Sequence, residues 1–114
     1  MSFELKEVRE WADGTVVHPK YEVFDQRGDT DFTITDSTSW SLTDSDGDVV
    51  ANATCTVNNS DSDLAGNTIK TVKAAVDLTE TWAVAGHYVL VFLVLMTSGE
   101  TEKLSVPIRI KDVP

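Results

Sequence analysis

The chain has 114 residues and a formal net charge of −10, with 9 Lys and Arg against 19 Asp and Glu. Hydrophobic residues make up 41% and charged residues 25%, the balance of one globular domain and not of a disordered chain. The acidic excess repels phosphate backbones and anionic bilayers, so no nucleic acid and no membrane surface is expected as a partner. A single cysteine, Cys55, excludes an intrachain disulfide; the core alone must hold the fold, and a reducing compartment suits it.

Val and Thr supply 15 and 14 residues against 8 Leu, and β-branched side chains pack well on a pleated surface, so the composition favours an all-β fold. Residues 1–20 read as an arm or a short helix, since Glu4, Lys6, Glu7, Arg9 and Glu10 suit either, and a single sandwich domain is expected over 21–114. Its first strand falls at 21–24. Phe32 and Ile34 then alternate with Thr33 and Thr35, and Trp40 and Leu42 alternate with Ser39, Ser41 and Thr43, the period of two that marks half-buried strands. Asp44-Ser45-Asp46-Gly47 follows as a hairpin turn, where Gly accepts positive φ and Asp caps its own turn.

Val49, Ala51, Ala53, Cys55 and Val57 fall on one face, which predicts one long strand over 49–58 with Cys55 inward. A polar loop is expected at 58–67, then a strand with Val72, Ala74, Val76 and Leu78 facing in. Residues 79–86 cross over and carry Trp82. Residues 88–96 are apolar on both faces, too few to span a bilayer, which takes about 20. After a turn at 97–100, Leu104, Val106, Ile108 and Ile110 face in, and Pro107, which cannot donate to a ladder, suggests an edge strand at that point. About seven short strands separated by turns predict an immunoglobulin-like antiparallel β-sandwich with an N-terminal arm.

Few residues carry chemistry. Tyr88, just inside a strand, suits a tyrosine whose hydroxyl bonds back to upstream backbone, and Trp40 suits a buried core tryptophan. Asp44-x-Asp46-Gly47-Asp48 invites a calcium reading, but an EF-hand loop needs Gly sixth and Glu twelfth, where Val49 and Cys55 stand. Arg27-Gly28-Asp29 reads as a turn. His18 and His87, the two imidazoles, lack zinc-ligand spacing, and an inward Cys55 in an acidic chain is a poor nucleophile. The Asp residues of 28–67, a stretch without Lys or Arg, read as a solvated face. The start has no basic region leading into an apolar run, so no secretory signal is expected. No enzyme, cofactor, metal or small-molecule substrate is expected.

The informative feature is the second face of 88–96. Tyr88, Leu90, Phe92 and Val94 fill a sandwich, which leaves Val89, Val91, Leu93 and Leu95 outside. Monomers seldom leave such a patch open, and full burial is worth about 1.5–3 kcal/mol per side chain. These four residues, with Phe3, Leu5, Val8 and Trp11 of the arm, are the expected protein interface. The rival reading is a carbohydrate-binding or adhesin-type module, which needs an exposed aromatic platform from Trp11 or Trp82.

Gln26-Arg27-Gly28-Asp29-Thr30 ahead of a strand, the segment Trp40-Ser41-Leu42-Thr43-Asp44-Ser45-Asp46-Gly47-Asp48-Val49-Val50 and the segment Ala85-Gly86-His87-Tyr88-Val89-Leu90-Val91-Phe92 together resemble small immunoglobulin-like sandwich proteins of tailed bacteriophages. The resemblance covers roughly 21–111. Such modules sit at the head–tail neck, on capsids as decoration, or in baseplates. It implies a non-enzymatic virion subunit, assembled in the host cytoplasm, whose partners are its own copies and other virion proteins.

Overall fold

A computed structural model describes residues 2–4, 9–12, 14–23 and 32–111 of the chain. Eleven strands follow in order among them: β1 (Ser2–Glu4), β2 (Arg9–Ala12), β3 (Val16–Val17), β4 (Lys20–Glu22), β5 (Ser39–Asp44), β6 (Val49–Thr54), β7 (Thr56–Ser62), β8 (Thr68–Lys73), β9 (Val76–Asp77), β10 (Gly86–Leu95) and β11 (Thr101–Lys111). No described residue is helical. The fold is an all-β sandwich.

The larger sheet has the order β1-β11-β10-β5-β6, with β2 also lying on β11. Alternation builds its inner face: Trp40 and Leu42 from β5, Tyr88, Leu90, Phe92 and Val94 from β10, and Val106, Ile108 and Ile110 from β11 are all buried. The second layer has the order β4-β8-β7, with the short pair β3-β9 beside it. Val17↔Val76 and Lys20↔Lys73 keep one register, and Leu78 N–H donates to the Thr15 carbonyl at 2.7 Å while Ala74 N–H donates to that of Pro19 at 3.0 Å. The two short pairs are therefore one ladder, interrupted where Pro19 has no N–H to give. Val72, Ala74, Val76 and Leu78 bring this layer's apolar face onto the core, and the Tyr21 ring meets Phe92 edge-on at 5.4 Å across the layers.

The N-terminal stretch is woven into both sheets. Residues 2–4 and 9–12 run parallel along β11, and residues 15–23 edge the second layer. The larger sheet is thus mixed, and the short-helix alternative does not describe residues 2–4 or 9–12. Glu10 explains part of this: its carboxylate sits 2.9 Å from Lys111 Nζ and 3.9 Å from Arg109 on β11, which suits a strand in register there. Those charges hold the Glu10 carboxyl below its ordinary range, the Lys111 contact foremost. β11 is not an edge strand along its length, because β10 flanks it on one side and β1 and β2 on the other, but neither β1 nor β2 pairs with Pro107 itself. It falls between Ser105, the partner of Glu4, and Ile108, the partner of Arg9, in the interval between the two parallel pairings.

Residues 49–58 are not one strand. The chain leaves the larger sheet after Thr54 and joins the second layer at Thr56. Cys55 is the corner, half-buried, its N–H donating to the Thr38 carbonyl at 2.8 Å. Both strands share the period of two, so alternation runs unbroken around the bend and hides it. Nor are residues 58–62 a loop: they continue β7 through an irregularity between Asn58 and Asp61. The Asn59 amide takes up both backbone groups of Ile34, accepting its N–H at 2.9 Å and donating to its carbonyl at 3.1 Å. Of the strand expected at 31–35, the described residues 32–35 form one bridge, Ile34↔Met96. Buried Thr38 secures the same end, accepting Leu95 N–H on its hydroxyl at 3.0 Å.

Three hairpin turns repeat one design. In 44–48, 63–67 and 96–100 the first N–H donates to the fifth carbonyl and the fourth N–H donates to the first carbonyl. The fourth residue is Gly each time, at φ of 88, 85 and 91°, a left-handed conformation in which a side chain is strained. In the first two turns an Asp side chain at the first position also accepts the third and fifth N–H groups, all at 2.8–3.0 Å. The carboxylate of Asp44 is thereby a turn cap.

Tyr88 fulfils its expected role. Its hydroxyl donates to the Val84 carbonyl at 2.8 Å and lies 3.3 Å from that of Trp82, and its ring meets the Trp82 ring edge-on at 6.2 Å. This fastens the crossover from β9 to β10 against the core. Trp40 is buried, as expected of a core tryptophan.

Candidate interaction surface

The side chains of β10 that face away from the core form a stripe down the outside of the larger sheet. Val89 and Leu93 are 40% and 41% exposed. Val91 and Leu95, between and beyond them, are half-buried by their neighbours. The neighbours follow from the register. Val89 stands between Pro107 and Thr43, Val91 between Ser105 and Ser41, and Leu93 between Lys103 and Ser39. The next strand out adds Val49 opposite Thr43, Asn52 opposite Ser41 and Thr54 opposite Ser39.

The outcome is a surface of aliphatic side chains flanked by small hydroxyls, with Val49 itself 56% exposed. On the β5 and β6 side no ionisable group interrupts these rows. On the β11 side Lys103 stands beside Leu93 itself, and Arg109 stands beside His87 at the end of the stripe. Short hydroxyl side chains leave the surface flat and cost little to desolvate when they find hydrogen-bond partners.

The structure separates the residues expected to act together. Val89, Val91, Leu93 and Leu95 share one face. Trp11 does not join them: it lies opposite Ile110, whose side chain is core, and it packs inward and half-buried. Phe3 belongs to β1, opposite Leu104. Leu5 and Val8 lie outside the described residues, as do Phe24 and Arg27-Gly28-Asp29. Sequence reading missed Val49, Ser39, Ser41 and Thr43. The Ser/Thr alternation of 39–43 signals the outer face of β5 but not which strand lies beside it, and Val49, expected on the inward face with Ala51, is turned outward by the register shift between Leu42 and Thr43.

Neither Trp11 nor Trp82 forms an open platform, since both pack against the core. His87 is exposed near the start of β10. Cys55 follows Thr54, which the register carries through Ser39 to Leu93, six residues along β10 from His87, a separation of about 20 Å at strand rise. Burial pushes the Cys55 thiol up to about 11, so it stays protonated at neutral pH and is no poised nucleophile. Among the described residues no group of three or more His, Cys, Asp or Glu is placed to hold a metal ion, and no helix is long and apolar enough to cross a membrane.

No family model and no curated protein matches the chain. The crystal structure of CopC from Methylosinus trichosporium OB3b superposes with a TM-score of 0.54 at 16% identity, over 94% of this chain and 86% of that one. At that identity the likeness is one of fold, and it agrees with the sandwich described above.

Proposed function

We propose that the protein is a non-enzymatic structural subunit that assembles through the outer face of β10. One observation carries this: Val89 and Leu93 stay about two-fifths exposed in the middle of the larger sheet, with uncharged hydroxyl residues beside them on β5 and Lys103 beside Leu93 on β11, in a chain of net charge −10. Covering what remains open on each is worth about 1 kcal/mol, and repetition of such contacts around an assembly multiplies weak terms into a stable one. The acidic turns then point to solvent or meet basic patches on a neighbour. The segments that resemble phage sandwich proteins support a virion as the setting, with other copies and other virion proteins as partners.

The test is the molar mass in solution by light scattering behind a sizing column, with Leu93→Glu beside the parent. Residue 93 is on the surface, so the Glu variant folds. The parent is expected as an oligomer and the variant as a folded species of lower mass. A parent and variant of equal mass at every concentration would overturn the reading.

A further inference from the structure

The larger sheet ends at β6, beyond which no described strand lies. Exposed edges are ordinarily blunted by charges or proline. Three of the other bordering strands carry them: Arg9 and Glu10 on β2, Lys20 and Glu22 on β4, Asp61 on β7. The β6 edge carries neither. From Val49 to Ser60 there is no Asp, Glu, Lys, Arg or Pro. Its one irregularity, between Leu42 and Thr43 on the partner strand, lies at the start of β6 and leaves residues 51–54 regular and Asn52, Ala53 and Thr54 exposed.

We infer that this edge pairs, antiparallel and about a two-fold axis, with β6 of a second copy of the chain. A neutral edge is where two copies of net charge −10 can approach most closely. A two-fold pairing must also keep inner residues beside inner residues, because a slip of one flips every side chain to the other face. Centring the axis on Asn52 does so: Asn52 meets its own copy, whose amide both donates and accepts, and Ala51 meets Ala53. The row Val91–Ser41–Asn52 then continues into the same row of the second copy, and the two outer faces become coplanar. The edge contact uses none of the β10 stripe, so it stands or falls independently of the proposed function.

The test traps the pairing. In a Cys55→Ser background, Asn52→Cys places two thiols on the axis at a Cα separation of about 4.5–5.5 Å, within disulfide range. Mild oxidation is expected to give a disulfide-linked dimer, much faster than for Asn58→Cys, an exposed control on β7. Adding Leu93→Glu leaves that dimer in place. Asn52→Asp sets two carboxylates face to face and weakens dimerisation by about tenfold, and salt restores part of it. Equal cross-linking at both positions, no cross-linking at Asn52→Cys, or an Asn52→Asp chain that dimerises like the parent each overturns the inference.

Discussion

Tyr88→Phe isolates the bond that fastens the crossover. The substitution keeps the ring, its edge-on contact with Trp82 and its place in the core, and removes the hydroxyl. That hydroxyl has one proton for two carbonyls, and the 2.8 Å contact to Val84 takes most of it over the 3.3 Å contact to Trp82. One hydrogen bond contributes about 0.5–1.5 kcal/mol net, with more if an acceptor is left buried and unpaired. Val84 is exposed, so its carbonyl regains water, and the expected loss is about 1–1.5 kcal/mol. At this chain length that lowers Tm by about 4–8 °C. Tyr88→Ala, by contrast, empties a core position and costs about 3–5 kcal/mol. Urea titration followed by tryptophan fluorescence reads both. Should Tyr88→Phe match the parent within error, the hydroxyl does not hold the crossover; should it equal Tyr88→Ala, the ring's surroundings and not the bond have been misjudged.

Further outcomes follow from single groups. Cys55 is expected to react slowly with a thiol reagent at pH 8 in the folded chain and at the ordinary rate in urea. Its raised value means a contribution to stability that is whole below the ordinary thiol value of 9.0 and lost as pH rises through about 11, which urea midpoints across that window check. Asn59→Ala frees both backbone groups of Ile34 and costs about 1–3 kcal/mol; Asn59→Asp, which swaps a donor for an acceptor facing the Ile34 carbonyl, is at least as damaging. Asp61, bonded by the Thr71 hydroxyl, and Asp63, bonded by the Asn67 backbone N–H, are held below the ordinary 3.8. Stability is therefore full above that value and falls as pH drops through their lower folded values, and Asp63→Asn, which keeps the acceptor without the titration, loses less in acid melts.

The fold was legible where one residue type answers one local demand. Gly47 after Asp44 announced its turn, Tyr88 its corner, and the two-sided apolar run its central strand. What stayed hidden depends on neighbours distant in sequence. The change of sheet at Cys55 leaves alternation intact, so no period reveals it. Asn59 looks like loop composition because its amide replaces a strand partner for Ile34. Pro107 looks like an edge because the sequence does not show that β1 and β2 take up β11 on either side of it. The outer stripe of β10 was readable from one strand alone; Trp11 was misplaced with it, because only the parallel register beside Ile110 turns it inward.

The account turns on whether the outer face of β10 is covered when copies meet. Ser41 lies beside Val91 on that face, one strand in from the β6 edge, and cysteine differs from it by one atom. In a Cys55→Ser background, the labelling rate of Ser41→Cys measured from dilute to concentrated protein reads the face directly. The labelling rate is expected to fall as the molar mass rises, and Leu93→Glu is expected to hold the rate constant and lower the mass. A labelling rate that stays constant while the mass rises would mean that the outer face of β10 stays open in the assembly, and would contradict the proposed function.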